Sequence, residues 1–205
     1  MLPHCHDAQV AAHSVLVIGA STGGPSAIRE LLAELPRDFP AAVLIAQHLP
    51  PGFTQAFAAQ LARVAPGPVR EARTGDLLSS GVIFLALGGY HTSLRPDGRL
   101  AVVPVSAAAL SPSVDVLMAS VAERYGSQVH AVILSGMGSD GVAGLVAARA
   151  GAKTYAQDPK SCVIAGMPER VIARGAVAHI ASPQEIGRLV ACAFGGMVVR
   201  NSSHG

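Results

Sequence analysis

Tryptophan is absent from this chain of 205 residues, and five Phe and three Tyr are its only other large aromatics. Charge is scarce as well. Fifteen Lys and Arg stand against 13 Asp and Glu, with no basic run and no aromatic–basic interleaving, so nucleic-acid binding has no support. No apolar stretch is long and pure enough to span a bilayer, and no membrane insertion is expected. Residues Met1 to His6 lack a charged n-region and an apolar h-region, so secretion is not indicated. Cys5, Cys162 and Cys192 are odd in number and scattered. They read as reduced thiols of a cytoplasmic protein rather than as a disulfide framework. Metal-ligand spacing is missing too. His4, Cys5 and His6 are adjacent, and adjacent ligands close no tetrahedral site alone. Residues 1–13 therefore read as a flexible leader.

What is present is apolar: half of the residues are hydrophobic, enough for one ordinary domain with a sizeable core. The stretch Val15-Leu-Val-Ile-Gly-Ala-Ser-Thr-Gly-Gly24 organises it. Its four branched apolar residues predict a strand buried on both faces, as in a parallel sheet. Ser21 stands at the turn that follows, and Ile28, Leu31, Leu32 and Leu35 then recur at helical spacing. Residues 41–46 predict a second buried strand, and 53–64 a second amphipathic helix. Alternating strand and helix imply right-handed crossovers and a doubly wound α/β sandwich of three layers with a mostly parallel sheet.

After the break at Pro66-Gly-Pro68, residues 82–87 read as another strand. Residues 92–94 and 100–103 flank Pro96-Asp-Gly98 and predict a small β-hairpin. Ser111-Pro112 reads as the cap and first position of a helix running to about Arg124. Buried strands follow at 129–134 and 152–156, with a helix through Val142, Leu145 and Val146 between them. A short helix at 167–172 and a last strand at 176–180 come next. Ser182-Pro-Gln-Glu185 is a complete capping box that opens the final helix. Residues 14–194 read as one domain without internal repeat or linker, and 195–205 as a flexible tail.

Three polar stretches, those with Ser21, His48 and Asp140, each stand directly after a predicted strand. In a parallel sheet all three reach the carboxyl edge, where sites of open α/β sheets collect. A serine nucleophile needs a base, and the base needs an acid to hold its tautomer. Each residue also has a structural reading: Ser21 as a helix cap, His48 as a loop residue, and Asp140 as the cap of the helix that follows it. On spacing alone both readings stand. Gly19-Ala-Ser21-Thr-Gly23 fits a nucleophile elbow, but the chain order Ser, His, Asp and the lack of preceding strands argue against the α/β-hydrolases. The full dinucleotide-binding glycine spacing is absent. The second strand ends in Gln47-His48 rather than in an acid, and no Walker loop is present.

Five stretches in order carry a resemblance. They are Gly-Ala-Ser-Thr-Gly-Gly-Pro at 19–25, Gln-His-Leu-Pro at 47–50, Pro-Ser-Val-Asp-Val-Leu at 112–117, Gly-Met-Gly-Ser-Asp-Gly at 136–141 and Gly-Met-Pro at 166–168. Together they resemble the catalytic domain of CheB, the chemotaxis protein-glutamate methylesterase, over residues 14–194. The resemblance implies Ser21 as nucleophile, His48 as general base and Asp140 as its orienting acid. It implies an oxyanion site near Thr22 and Met137, and no metal or cofactor. It also implies hydrolysis of glutamate γ-methyl esters on chemoreceptor helices, with deamidation of certain receptor glutamines.

Three departures stand out. Thirteen leader residues hold no receiver domain, so phosphorylation control in cis is not expected. Leu110-Ser111 stands where the family commonly has Arg before Pro-Ser-Val-Asp, and Leu87-Gly-Gly-Tyr-His91 replaces a commonly charged loop. The last two bear on substrate choice. The rival functions are a non-catalytic receptor-binding module on the same fold and a hydrolase of small esters.

Overall fold

The structure, a computed structural model, describes residues 11–201, with side chains to residue 195. His4, Cys5 and His6 lie outside the described residues, as do most of the leader and the last four residues of the tail.

Strand β1 (Val15–Ala20) is buried throughout and occupies the middle of a seven-stranded sheet. Helix α1 (Gly24–Leu32), strand β2 (Ala42–Gln47) and helix α2 (Thr54–Leu61) follow as the alternating pattern predicts. Strands β3 (Val69–Glu71) and β4 (Ile83–Leu85) complete one wing of the sheet, and β5 (Tyr90–Leu94) pairs with β6 (Leu100–Pro104) in a separate hairpin. Helix α3 (Val114–Tyr125) returns the chain to strand β7 (Val129–Ile133) on the other side of β1. Helix α4 (Val142–Ala148), strand β8 (Lys153–Gln157), helix α5 (Gly166–Ala173), strand β9 (His179–Ala181) and helix α6 (Pro183–Asn201) finish the fold. The sheet order is β3-β4-β2-β1-β7-β8-β9, with parallel neighbours throughout. The chain reverses direction across the sheet between β1 and β7, and crevices for ligands open at such switch points.

Strand alternation sorts the core into two layers. Val15 and Val17 face α3, α4 and α5, packing with Val114, Met118, Leu145 and Met167. Leu16 and Ile18 face the other way, with Ile28, Leu31, Phe57 and Val190 from α1, α2 and α6. Each fully buried branched side chain contributes about 1.5–3 kcal/mol. Val114 in the first turn of α3 reaches the sheet because Gly19 has no side chain: a Cβ there would overlap Val114 Cγ1. No helix among the described residues is long and apolar enough to cross a membrane.

The capping box forms: Glu185 N donates to Ser182 Oγ at 3.3 Å, and Ser182 N donates to Glu185 Oε2 at 3.0 Å. Four expectations need correction. Helix α3 is capped by Ser113, whose hydroxyl accepts from Val116 N, not by Ser111. The reason is that Ser111 Oγ is already occupied by the amide of Gly89. Strand β3 was not foreseen; three half-buried residues carry too short a pattern to read. The leader is held by residue 12, since Ala12 is buried and its amide donates to Leu78 O at 2.7 Å. Helix α6 runs past Phe194, where fraying was expected.

A buried polar contact joins β7 to β8 where α6 packs on the sheet. His130 Nδ1 and the Tyr155 hydroxyl share a hydrogen bond of 3.0 Å, and the Phe194 ring lies over the imidazole at 4.4 Å. Burial, with the positive charge of Lys153 adding to it, pushes His130 down to about 4. The unfolded chain takes up this proton near pH 6.5 and the folded one does not, so stability falls as pH drops from 6.5 towards 4. Urea unfolding at pH 7 and pH 5 should show a loss of about 2 kcal/mol from this group. His130→Gln should remove that part of the pH dependence; equal slopes for variant and wild type would show that the imidazole titrates freely.

Candidate active site

The parallel pairing of β1 with β2 sets Ala20 beside Gln47, so Ser21 and His48 leave the sheet side by side. Adjacent strands lie about 4.8 Å apart. The His48 amide continues the ladder one step further, donating to Ala20 O at 3.0 Å. On the other flank, Ser21 N donates to Ser135 O at 3.0 Å at the end of β7. The serine therefore sits over the switch point.

His48 and Asp140, 92 residues apart, meet. His48 Nε2 donates to Asp140 Oδ2 at 2.8 Å, with both side chains largely buried. The same carboxylate accepts Val114 N at 2.7 Å, Asp115 N at 2.9 Å and Ser113 Oγ at 3.2 Å. Asp140 is thus a cap as well as the imidazole's partner, but it caps α3. Helix α4, which follows it in sequence, starts from Gly141 without a side-chain cap. Burial raises the Asp140 carboxyl, yet the His48 hydrogen bond and the amides of Asp115 and Val114 outweigh it and hold the group below its ordinary value. An ionised Asp140 fixes the imidazole proton on Nε2. That leaves a lone pair on Nδ1, which is buried and has no hydrogen-bond partner. This is the electronic state of a general base.

Ser21 itself is half-buried. No hydrogen bond joins its Oγ to His48 among the described residues, so one of the two contacts expected of His48 is formed and the other is not. Thr22 is exposed, and Met137 is 69% exposed. The amides of Thr22, Gly23, Met137 and Gly138 take no carbonyl partner among the described residues. Gly136 brings the two loops together, because a Cβ there would collide with Met167 Sδ and lie 2.8 Å from Ser21 Cβ. Donors without partners at the start of a helix suit a developing negative charge.

Two supports escaped the sequence reading. Gln47, 2% exposed, donates through Nε2 to Ser21 O at 2.9 Å and to His48 O at 3.1 Å, pinning both turns. Its signal was available, as the one amide at the end of an otherwise apolar strand. Asp115 ties α3 to α4 by accepting Gly144 N at 2.6 Å. Burial holds its carboxyl above the ordinary value against that hydrogen bond, and the negative charge of Asp140 adds to the rise.

A family profile described as CheB methylesterase matches residues 16–190. The crystal structure of the Thermotoga maritima CheB methylesterase catalytic domain superposes with a TM-score of 0.81 at 33% identity, covering 87% of this chain and 97% of that one. This chain belongs to the CheB methylesterase family. Its relatives named protein-glutamate methylesterase/protein-glutamine glutaminase include one from Bordetella bronchiseptica, 44% identical over 190 residues. The match covers 90% of this chain and 54% of the relative. Another, from Paraburkholderia xenovorans, is 45% identical over 186 residues, covering 88% of this chain and 51% of the relative. The chain spans about half the length of the curated relatives it matches.

Because one CheB carboxylate holds both the imidazole and the first turn of α3, Asp140→Asn should lower stability by about 1–2 kcal/mol. Urea unfolding at pH 7 reads this directly. An unchanged midpoint would mean that the α3 amides do not depend on the charge.

Proposed function

We propose that this chain is a serine hydrolase that removes methyl groups from glutamate γ-methyl esters of chemoreceptors and deamidates certain receptor glutamines. The observation that carries the reading is the His48–Asp140 pair, with an unshared lone pair on Nδ1 at the strand end next to Ser21. The names of the relatives supply the substrate. The partner is a methyl-accepting helix of a chemoreceptor, met in the cytoplasm.

In this mechanism a χ1 rotation brings Ser21 Oγ to His48 Nδ1. The oxygen attacks the ester carbonyl carbon while its proton passes to Nδ1, and Asp140 stabilises the imidazolium. The amides around Thr22 and Met137 receive the oxyanion. His48 then returns the proton to the departing methoxide, methanol leaves, and the glutamyl group remains on Ser21. Water, deprotonated by His48, attacks that acyl group, and the glutamate carboxylate and a free Ser21 hydroxyl result. A glutamine follows the same course, with ammonia leaving in place of methanol.

Ser21→Ala and His48→Ala should each lower methanol release from a methylated receptor by about 10⁴- to 10⁶-fold. The double variant should lose little more, since the residues act as a unit. Asp140→Asn should lose about 10³- to 10⁴-fold. A folded Ser21→Ala that keeps most of its turnover would remove the serine from the chemistry. Gln47→Leu frees both turns while leaving every reacting atom in place. Its kcat should fall about 10- to 100-fold with KM nearly unchanged; a rise in KM alone would make Gln47 a substrate contact.

A further inference from the structure

Beside His48 lies an open pocket of about 350 Å³ that the mechanism does not use. It is lined by the apolar Leu49, Pro50, Pro51, Ala107, Ala109 and Leu110, with Gly89, Ser106 and Ser111, and His48 is the only titratable side chain in the lining. Ser21 is not part of it, so the reacting ester lies outside, and the volume far exceeds a methoxy group.

The pocket is built firmly. Gly88 N donates to Thr54 Oγ1 at 3.1 Å, and a Cβ on Gly88 would overlap the carbonyls of Leu49 and Pro50. Gly89 N donates to Ser111 Oγ at 2.9 Å, which engages one of the two hydroxyls of the lining, the other being that of Ser106. Leu110, 57% exposed, forms the rim. The two stretches that depart from the family pattern, 87–91 and 110–111, both contribute to this lining.

We infer that this pocket is a specificity subsite for one bulky apolar side chain of the substrate, carried on the same helix face as the ester. Residues four apart on a helix share a face, with their Cβ atoms about 5–6 Å from each other, so a side chain one turn from the ester lies on the face that meets His48, which borders the pocket. An apolar side chain gains by leaving water there. A carboxylate or ammonium entering the same space is desolvated with no Asp, Glu, Lys or Arg in the lining to pair with it, and the one titratable group there, His48, is already paired with Asp140. Leu110 bears on the preference, because it is a large lining side chain, 57% exposed, where a charge would change the choice.

The subsite rests on the hydrolase reading only for its effect on turnover, so binding and turnover are measured separately. The probes are helical peptides bearing one glutamate γ-methyl ester, with Leu, Glu or Lys at the fourth position on either side. Fluorescence anisotropy with Ser21→Ala should show the better Leu peptide bound at least tenfold more tightly than its Glu and Lys counterparts, a ratio equal to about 1.4 kcal/mol. With the wild-type chain, kcat/KM from methanol release should follow the same order. Leu110→Arg should invert the order of Leu and Glu. Binding without discrimination, tighter binding of Glu or Lys, or no binding of any peptide overturns the subsite. Leu-selective binding without hydrolysis leaves the subsite standing and sinks the hydrolase reading. Hydrolysis of all peptides at equal kcat/KM does the reverse.

Discussion

One carboxylate does two things in this molecule. Asp140 accepts the first amides of α3 and, through its other lone pairs, the Nε2 proton of His48. Neither contact alone suffices to keep a charge in a largely buried place; together with the positive end of the helix dipole they do. Helix docking and imidazole orientation are therefore a single event. Anything that lifts the first turn of α3 from the sheet also withdraws the partner of His48. Gly19 is part of this coupling, since only a residue without a side chain lets Val114, the first residue of the capped turn, settle over the end of β1.

Sheet register supplies the other half of the geometry. Ser21 and His48 are neighbours because β1 and β2 are parallel and aligned to the last pair, Ala20 with Gln47. A slip of one residue would turn every side chain of β2 to the opposite layer and take His48 out of step with Ser21. Gln47 then converts alignment into fixation by holding both turns from below.

Sequence alone made much of this legible, for a physical reason. Strands buried on both faces are continuous apolar runs, and β1, β2 and β7 announce themselves in that way. Polar residues placed immediately after such runs must lie on one edge of a parallel sheet, so the meeting of His48 with Asp140 follows from topology. What stayed hidden depends on distant partners. Nothing local distinguishes Ser113 from Ser111 as the cap of α3, because the choice is made by the Gly89 amide, 22 residues away. Asp140 looks like the cap of the helix it precedes, and only the packing of Val114 gives it to another. Strand β3 was illegible since its three residues owe their conformation to pairing with β4 rather than to any pattern of their own.

The hairpin β5–β6 shares no ladder with the seven-stranded sheet and rests on α3, where Ser120 Oγ accepts the Leu94 amide. Its departing segment, 105–112, runs straight into the pocket wall before α3 begins. None of residues 105–112 belongs to a ladder of the seven-stranded sheet or bonds to Asp140, so side chains can be exchanged there without touching that sheet's register or the His48–Asp140 pair. The fold thus separates the half that holds Ser21, His48 and Asp140 from an appendage whose side chains can differ without moving them.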